Sequence, residues 1–461
     1  MELRPYQTKI IEDARALMRQ GVMSIQIQSS TGSGKTVLAA FMVKSAVERG
    51  GRVFWLTHRT ELLRQVFKTF NDVVISSGII ASGWMEEPNL PVQICSVQSL
   101  TRRLHKYKKP TIVFVDESHH QAAQSYKRIH DAYNDAFFVG LSATPERTDG
   151  QGLGKYFSKL VCGPTTKWLI QNGHLADYKL YAPSNVDVSA VHLRGGDYAS
   201  EELNKVMDRP TITGNAVDKY IQFCAGKRAL VFSASVEHSK HVVSEFLSRG
   251  ISAVHIDGET PTEERLSKMK DFSDGKNLVV SNYGLFSEGV DVPVLESVIM
   301  LRPTMSKGLY LQMVGRALRP SPGKGYAIIL DQVGNCERHG MPDHEHRWSL
   351  AGHSARSGSS AQEVKVKCCP KCFAMQPPGN RCRYCGYLFP MNDRATSIKQ
   401  VEGELVEVKK IDRPFVPQWA AQSEADLVEV GRQRGYNNPE AWAHHVYDAR
   451  QKKLNLTANK M

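Results

Sequence analysis

Between positions 23 and 141, short apolar runs alternate with longer segments whose apolar residues recur at helical spacing. Met23–Gln28, Val53–Thr57, Val92–Ser96, Thr111–Val115 and Phe137–Leu141 predict buried strands. Thr36–Arg49 and Thr60–Phe70 predict helices between them. Strands that are apolar on both faces need covering on both faces, so the pattern predicts α/β architecture with a parallel sheet. The alternation breaks over Pro145–Ser184, which reads as irregular. It resumes with strands at Ala229–Ser233, Ser252–Ile256, Leu278–Ser281, Ser297–Leu301 and Tyr326–Leu330. Helices at Val236–Arg249, Glu263–Phe272 and Lys307–Leu318 separate them. Two α/β units in tandem account for this, at 1–165 and 166–345.

The region 346–363 contains Ala351–Gln362, small and polar, and reads as a linker. A cysteine-rich segment at 364–390 follows. The tail, 391–461, carries two helical patterns, Ser423–Arg434 and Pro439–Lys453. Gly435 to Asn438 supply a stop and then a cap, which predicts a helical hairpin.

Composition adds to this picture. A chain of 461 residues, 41% hydrophobic and 23% charged, has room for two or three cores. No apolar stretch approaches the ~18 residues of a membrane span, and Met1–Tyr6 lacks an apolar signal core, so a cytoplasmic protein is expected. The net charge of +12 suits a polyanionic partner. Of nine cysteines, Cys95, Cys162, Cys224 and Cys336 are scattered, and five lie between Cys368 and Cys385. Such clustering points to a metal in a reducing compartment.

The chemistry begins at Ser29–Thr36 (SSTGSGKT), between a predicted strand and a predicted helix. Thr31, Gly32, Ser33 and Gly34 let backbone N–H groups turn toward phosphate oxygens, and the helix N-terminus adds positive dipole. Lys35 is placed to reach the β- and γ-phosphates of ATP, and the Thr36 hydroxyl to hold Mg²⁺. Thr111–Val115 is an apolar strand ending in two carboxylates: Asp116 to hold the metal and Glu117 to polarise water. His119 is placed to couple this site to its neighbours. Ser142 and Thr144 end another strand and offer hydroxyls that can relay the site's state. Gln7, in Leu3–Gln7 (LRPYQ), offers the donor and acceptor that an adenine edge requires, and equally a helix cap. Far downstream, Gln312–Arg319 (QMVGRALR) presents two arginines three apart. Phosphoryl transfer needs such a positive group opposite the phosphate loop, so the site is expected between the two domains.

Taken together, LRPYQ, SSTGSGKT, LTHRTEL, SVQSL, DESH, SATP, VFSASVEHS, SNYGLFSEGVDVP and QMVGRALRP resemble the superfamily 2 helicases, over roughly residues 1–335. Within that group the chain is similar to RadD-like bacterial DNA-repair helicases and their phage relatives. The resemblance implies two RecA-like domains that close on ATP. It implies that Arg4 joins Gln7 at adenine and that Gly289 and Asp291 touch nucleotide from the second domain. Gln312 would orient water, and Arg316 and Arg319 would be arginine fingers. Thr57, His58 and Arg59, with Ser96, Gln98, Ser99, Ser233 and Asn282, fall where the family grips a strand backbone. The implied partner is DNA, single-stranded or branched, with RNA as the alternative, and the implied setting is repair, recombination or replication in a bacterial or phage-infected cell. Rival readings are a fork-remodelling ATPase without processive unwinding, a nucleotide-switched clamp and, last, a restriction-system motor.

Cys369–Cys372 (CPKC) and Cys382–Cys385 (CRYC) read as two knuckles whose thiolates would complete a tetrahedral Zn²⁺ site, the alternatives being a redox dithiol or inert cysteines. Lys365, Lys367, Lys371, Arg381 and Arg383 lie among Phe373, Tyr384, Tyr387 and Phe389. That mixture suits phosphate contact with base stacking, or a ribbon core with a solvated face. The ribbon and tail also offer a surface to a protein partner. His339, His344, His346 and His353 read as a polar surface loop.

Overall fold

In a computed structural model, residues 2–58, 60–120, 124–147, 151–182, 191–194, 197–208, 210–286, 294–351, 367–368, 375–376, 380–381, 386–389, 406–408, 423–433 and 438–458 are described. The chain divides into two compact units, one of residues 1–362 with 401–405 and one of 363–400 with 406–461.

The first unit holds two parallel sheets. Helix α1 (Pro5–Arg19) leads to β1 (Ser24–Gln28), α2 (Lys35–Glu48), β2 (Val53–Thr57), α3 (Thr60–Asp72), β3 (Ser77–Ile80) and β4 (Val92–Ser96). Next come α4 (Val97–Thr101), β5 (Ile112–Asp116), α5 (Gln124–Ala132), β6 (Phe137–Ser142) and β7 (Lys159–Cys162). The strand order is β3-β4-β2-β5-β6-β1-β7, every pairing parallel. Its interior strands are built from Val, Ile, Phe and Leu and are buried almost throughout, as a sheet covered on both faces requires. Register sets the strands' carboxyl ends side by side: Gln28 opposite Ser142, Asp116 opposite Leu141, Thr57 opposite Ser96. Ligands of open α/β sheets bind beyond such ends.

The second sheet is built from β8 (Asp177–Ala182), which follows α6 (Thr166–Gln171), and from later strands. A small antiparallel pair, β9 (Leu193–Arg194) and β10 (Asp197–Tyr198), precedes α7 (Ser200–Met207) and α8 (Pro210–Cys224). Then come β11 (Ala229–Phe232), α9 (Val236–Ser248), β12 (Ala253–Ile256), α10 (Thr262–Ser273), β13 (Val279–Asn282), β14 (Ser297–Met300), α11 (Lys307–Ala317) and β15 (Tyr326–Asp331). The parallel order runs β12-β13-β11-β14-β15-β8. Val231, Phe246, Ile299 and Leu330 lie at its core.

Two expectations are corrected. Pro145–Ser184 is not irregular throughout: it contains β7, α6 and β8, the first strand joining one sheet and the last joining the other. Strand β7 is only partly buried and β8 has an exposed first residue, so neither shows the unbroken apolar run that marks interior strands. The stretch after the second sheet is not a solvated loop either. Cys336 is fully buried, the His339 Nε2 lies 2.8 Å from the Thr304 carbonyl, and the Tyr178 hydroxyl donates to Asp343.

In the second unit, α12 (Glu424–Gln433) and α13 (Pro439–Ala458) pack through Leu427, Val430 and Ala443. Asn438 accepts from the Ala441 N–H at 3.0 Å and so caps the second helix. Lys367–Cys368 pairs antiparallel with Met375–Gln376, and Arg381 bridges Leu388.

Candidate ATP site between the two sheets

The phosphate loop leaves β1 and turns twice through left-handed glycines, Gly32 and Gly34, each at φ 83°. Gly34 also N-caps α2, so backbone N–H groups of the first helical turn face the loop. A Cβ on Gly34 would lie 2.8 Å from the Gln7 amide nitrogen, and one on Gly32 would lie 2.9 Å from Leu175. Both turns therefore need glycine twice over, for φ and for space. Ser33 is buried, its hydroxyl donating to the Ser30 carbonyl at 2.6 Å, which holds the loop open around its centre.

Lys35 leans back over this loop and donates to the Ser29 carbonyl at 3.2 Å. Burial lowers its pKa, Glu117 and Asp116 oppose that shift, and Arg316 and Arg319 reinforce it. Lys35 thus feels both carboxylates of the first domain and both arginines of the second. Three cations around two carboxylates form a site with excess positive charge, suited to a polyphosphate.

Asp116 ends β5 and is 7% exposed. Glu117 takes φ 45°, an uncommon conformation for a residue other than glycine, which turns its carboxylate off the strand line. There the Gln312 amide of α11 reaches it at 3.5 Å, across the two sheets. His119 Nδ1 lies 3.3 Å from the same carboxylate and 3.1 Å from the Ser142 hydroxyl. Ser142 in turn donates to the Thr144 carbonyl at 2.7 Å. One hydrogen-bonded line therefore runs from the acidic pair to the end of β6.

Helix α11 is capped by Ser306, whose hydroxyl accepts from the Leu309 N–H, and carries Gln312 and Arg316 on a buried face. Gly315 is the close approach: a Cβ there would collide with Thr31 of the phosphate loop. Arg319 follows the helix, its Cγ 3.4 Å from the position of a Cβ on Gly32. Gln312 is thus brought to Glu117, and Arg316 and Arg319 to within electrostatic reach of Lys35.

Gln7 is buried, and its amide group is already in use. Its Nε2 donates to Ser33 O at 3.1 Å, and its Oε1 accepts from the Arg4 N–H at 2.9 Å. The helix-cap role is therefore present, and the same Nε2 reaches the Gly34 carbonyl at 3.4 Å, so both amide protons have backbone acceptors and Oε1 keeps a second lone pair for a base edge. Sequence reasoning missed the aromatic company beside it. Tyr6 meets Trp168 edge-on at 6.0 Å and His174 at 5.0 Å, and Arg4 donates to the Tyr6 hydroxyl and the His174 carbonyl. Tyr6 lay in plain view inside LRPYQ, but Trp168 and His174 fell in the stretch read as irregular.

The residues expected at a strand backbone divide. Thr57 and Ser96 lie side by side at the ends of β2 and β4, and Ser233 follows β11 beside Asn282. Thr57, Ser233 and Asn282 are buried. Asn282 donates to Val231 O at 2.8 Å and accepts from the Phe286 N–H, so it braces its own loop. Ser233 shares hydroxyl contact with Ser281 at 3.0 Å. Ser96 donates to the Gln98 side chain at 3.0 Å; Gln98 is exposed, and His58 and Ser99 are half-buried. Arg59, Gly289, Asp291, Cys369, Cys372, Cys382 and Cys385 lie outside the described residues. Among the described residues no cluster of metal-binding side chains occurs, and no helix is long and apolar enough to cross a membrane.

Comparison with known proteins gives this geometry a context. Residues 1–147 match the family described as Type III restriction enzyme, res subunit, and residues 214–321 match Helicase conserved C-terminal domain. A 51.5 kDa protein of a Lactococcus phage is 36% identical, over 84% of this chain and 83% of its own. The ATP-dependent DNA helicase uvsW of Enterobacteria phage T4 is 25% identical over 66% of this chain, which spans 64% of that protein. Among solved structures, Saccharomyces cerevisiae Dbp5 bound to RNA and ADP BeF3 shares the fold with a TM-score of 0.53 at 16% identity, over 75% of this chain and 94% of its own.

Proposed function

Because the chain belongs to the superfamily 2 helicases, and so is an ATP-hydrolysing enzyme of nucleic acids, we propose that it moves along a DNA strand in repair, recombination or replication. The carrying observation is Gln312 within 3.5 Å of Glu117, beside Lys35 and Gly315, because it joins two sheets into one site. DNA is favoured over RNA by the description of the T4 relative as a DNA helicase. The setting we propose is the cytoplasm of a bacterium or phage-infected cell, following the phage relatives.

In this reading Lys35 and the loop from Thr31 to Thr36 bind the phosphates. The Thr36 hydroxyl and the Asp116 carboxylate are hard oxygen donors that fit Mg²⁺, and the ion would supply charge neutralisation on the phosphates. Glu117 polarises the attacking water, Gln312 orients it, and Arg316 and Arg319 offset charge developing on the transferred phosphoryl group. Arg4 and Gln7 read adenine, and Gly289 and Asp291 meet the nucleotide from the second domain. His58, Arg59, Gln98 and Ser99 form the strand-backbone track, and the buried Thr57, Ser96, Ser233 and Asn282 brace the strand ends and loops behind it. Closure on ATP and reopening after hydrolysis let the two grips alternate.

The second unit fits a zinc ribbon by its donor set. Cys369 and Cys372 fall in sequence between the paired segments Lys367–Cys368 and Met375–Gln376, and Cys382 and Cys385 fall between Arg381 and Leu388. Each Cys-x-x-Cys therefore falls in sequence between the two arms of an antiparallel pairing, and the four thiolates would complete a closed Zn²⁺ site.

The test is ATP turnover by wild type and Glu117→Gln with single-stranded, duplex, forked and RNA ligands, then unwinding on the best. Wild type should be stimulated most by DNA, and the variant should bind ATP yet lose turnover by at least ~10²-fold, as expected when a general base is removed. Near-wild-type turnover of Glu117→Gln overturns the catalytic assignment. Preferential stimulation by RNA overturns the DNA reading. Stimulation by forks without strand separation selects the remodelling alternative.

A further inference from the structure

Lys324 lies in sequence between α11 and β15, and the site described above does not use it. Its ammonium donates to three backbone carbonyls: Leu295 at 2.6 Å, Arg319 at 2.9 Å, and Ala317. Ala317 is the last residue of α11 and Arg319 follows its cap, Leu318. The last carbonyls of a helix have no partner within it, and the negative end of its dipole attracts a cation. Leu295 stands two residues before β14, at the exit of the segment 287–293 that carries Gly289 and Asp291. One ammonium therefore ties the end of α11 to the start of the neighbouring strand. The Leu318 carbonyl also accepts from Ala176 N–H at 2.7 Å, which fastens the same helix end to the connector between the sheets.

We propose that Lys324 is a positioning residue: it clamps the carboxyl end of α11 so that Arg316 and Arg319 meet the phosphoryl group in register. The three acceptors match the three donors of an ammonium, and no acid among its hydrogen-bond partners competes for them. A neutral amine has two donors and would leave one carbonyl unpaired. Charged groups that act on Lys324 are Glu296 on the segment entering β14 and Arg319 beyond α11. Burial brings its pKa down to about 8, with Glu296 opposing and Arg319 adding to the shift. The clamp is thus complete near neutrality and loses a donor as the pH rises past that value.

The inference rests on the proposed ATPase reading, and its failure is separable from failure of that reading. ATP affinity, kcat and KM are measured for wild type, Lys324→Met and Lys324→Arg between pH 6.5 and 9.5, with Glu117→Gln as the reference for the site. Lys324→Met should keep ATP affinity within about threefold and lose kcat by about tenfold or more. Wild-type kcat should fall across pH 8 with ATP affinity steady, and Lys324→Arg, charged throughout, should lack that fall. Lys324→Met turning over at the wild-type rate, or losing ATP affinity in step with kcat, overturns the proposal. If Lys324→Met does not fold, the decision passes to the pH profiles: equal alkaline falls in wild type and Lys324→Arg overturn it. Inactive wild type, or active Glu117→Gln, would instead sink the ATPase assignment itself.

Discussion

Arg316 shows how much of the proposed chemistry depends on single atoms. It is 5% exposed on a helix of the second sheet, yet it acts electrostatically on Lys35 of the first. If it is an arginine finger, Arg316→Ala should bind ATP normally and turn over ~10³-fold more slowly, measured in a steady-state ATPase assay with DNA. A rate within a few-fold of wild type would remove it from the site. The residue types were legible because phosphate binding allows few solutions: Gly32, Gly34 and Lys35 announce themselves by chemistry and spacing. The role of Gln7 as brace for Ser33 and Gly34 was not legible, since an amide's partners depend on which backbone folds against it.

At the scale of elements, α9 carries a testable cost. His238 is fully buried in its first turn, and burial brings its pKa down to about 4 from 6.5, with Asp208 opposing and His241 assisting. Between those values the unfolded chain holds a proton that the folded chain does not. Stability should therefore fall as pH drops from 6.5 toward 4, by ~3 kcal/mol from this group. Denaturant melts over that range should show a shallower decline for His238→Asn; parallel curves would refute the assignment. The elements themselves were mostly visible beforehand, because interior strands bury both faces and advertise it. β7 and β8 were missed since edge and entry strands keep polar residues, and only pairing with β1 and β15 reveals them.

For the whole molecule, two results decide what the chain grips and what the second unit adds. If the track is a phosphate backbone, DNA affinity should fall steeply with rising salt, because binding releases counterions. A flat response points to a protein as the main ligand. Removing residues after Gln362 should preserve basal ATPase, weaken DNA affinity or its coupling to hydrolysis, and remove one bound zinc per chain by metal analysis. Full-length protein without zinc, or a truncation equal to it in DNA-stimulated turnover, would count against the ribbon.

The sequence by itself determined the two-sheet α/β class, the phosphate loop and the acidic pair, because these follow from local patterns: burial on both faces, left-handed glycines, carboxylates at a strand end. It also announced Arg316 and Arg319. Only tertiary structure decided what surrounds them. Gly315 against Thr31, Gln312 at Glu117, and Lys324 holding Ala317, Arg319 and Leu295 are contacts between segments far apart in the chain or on different elements. No periodicity encodes such meetings, because a side chain's partners are set by how elements pack and not by its neighbours in sequence.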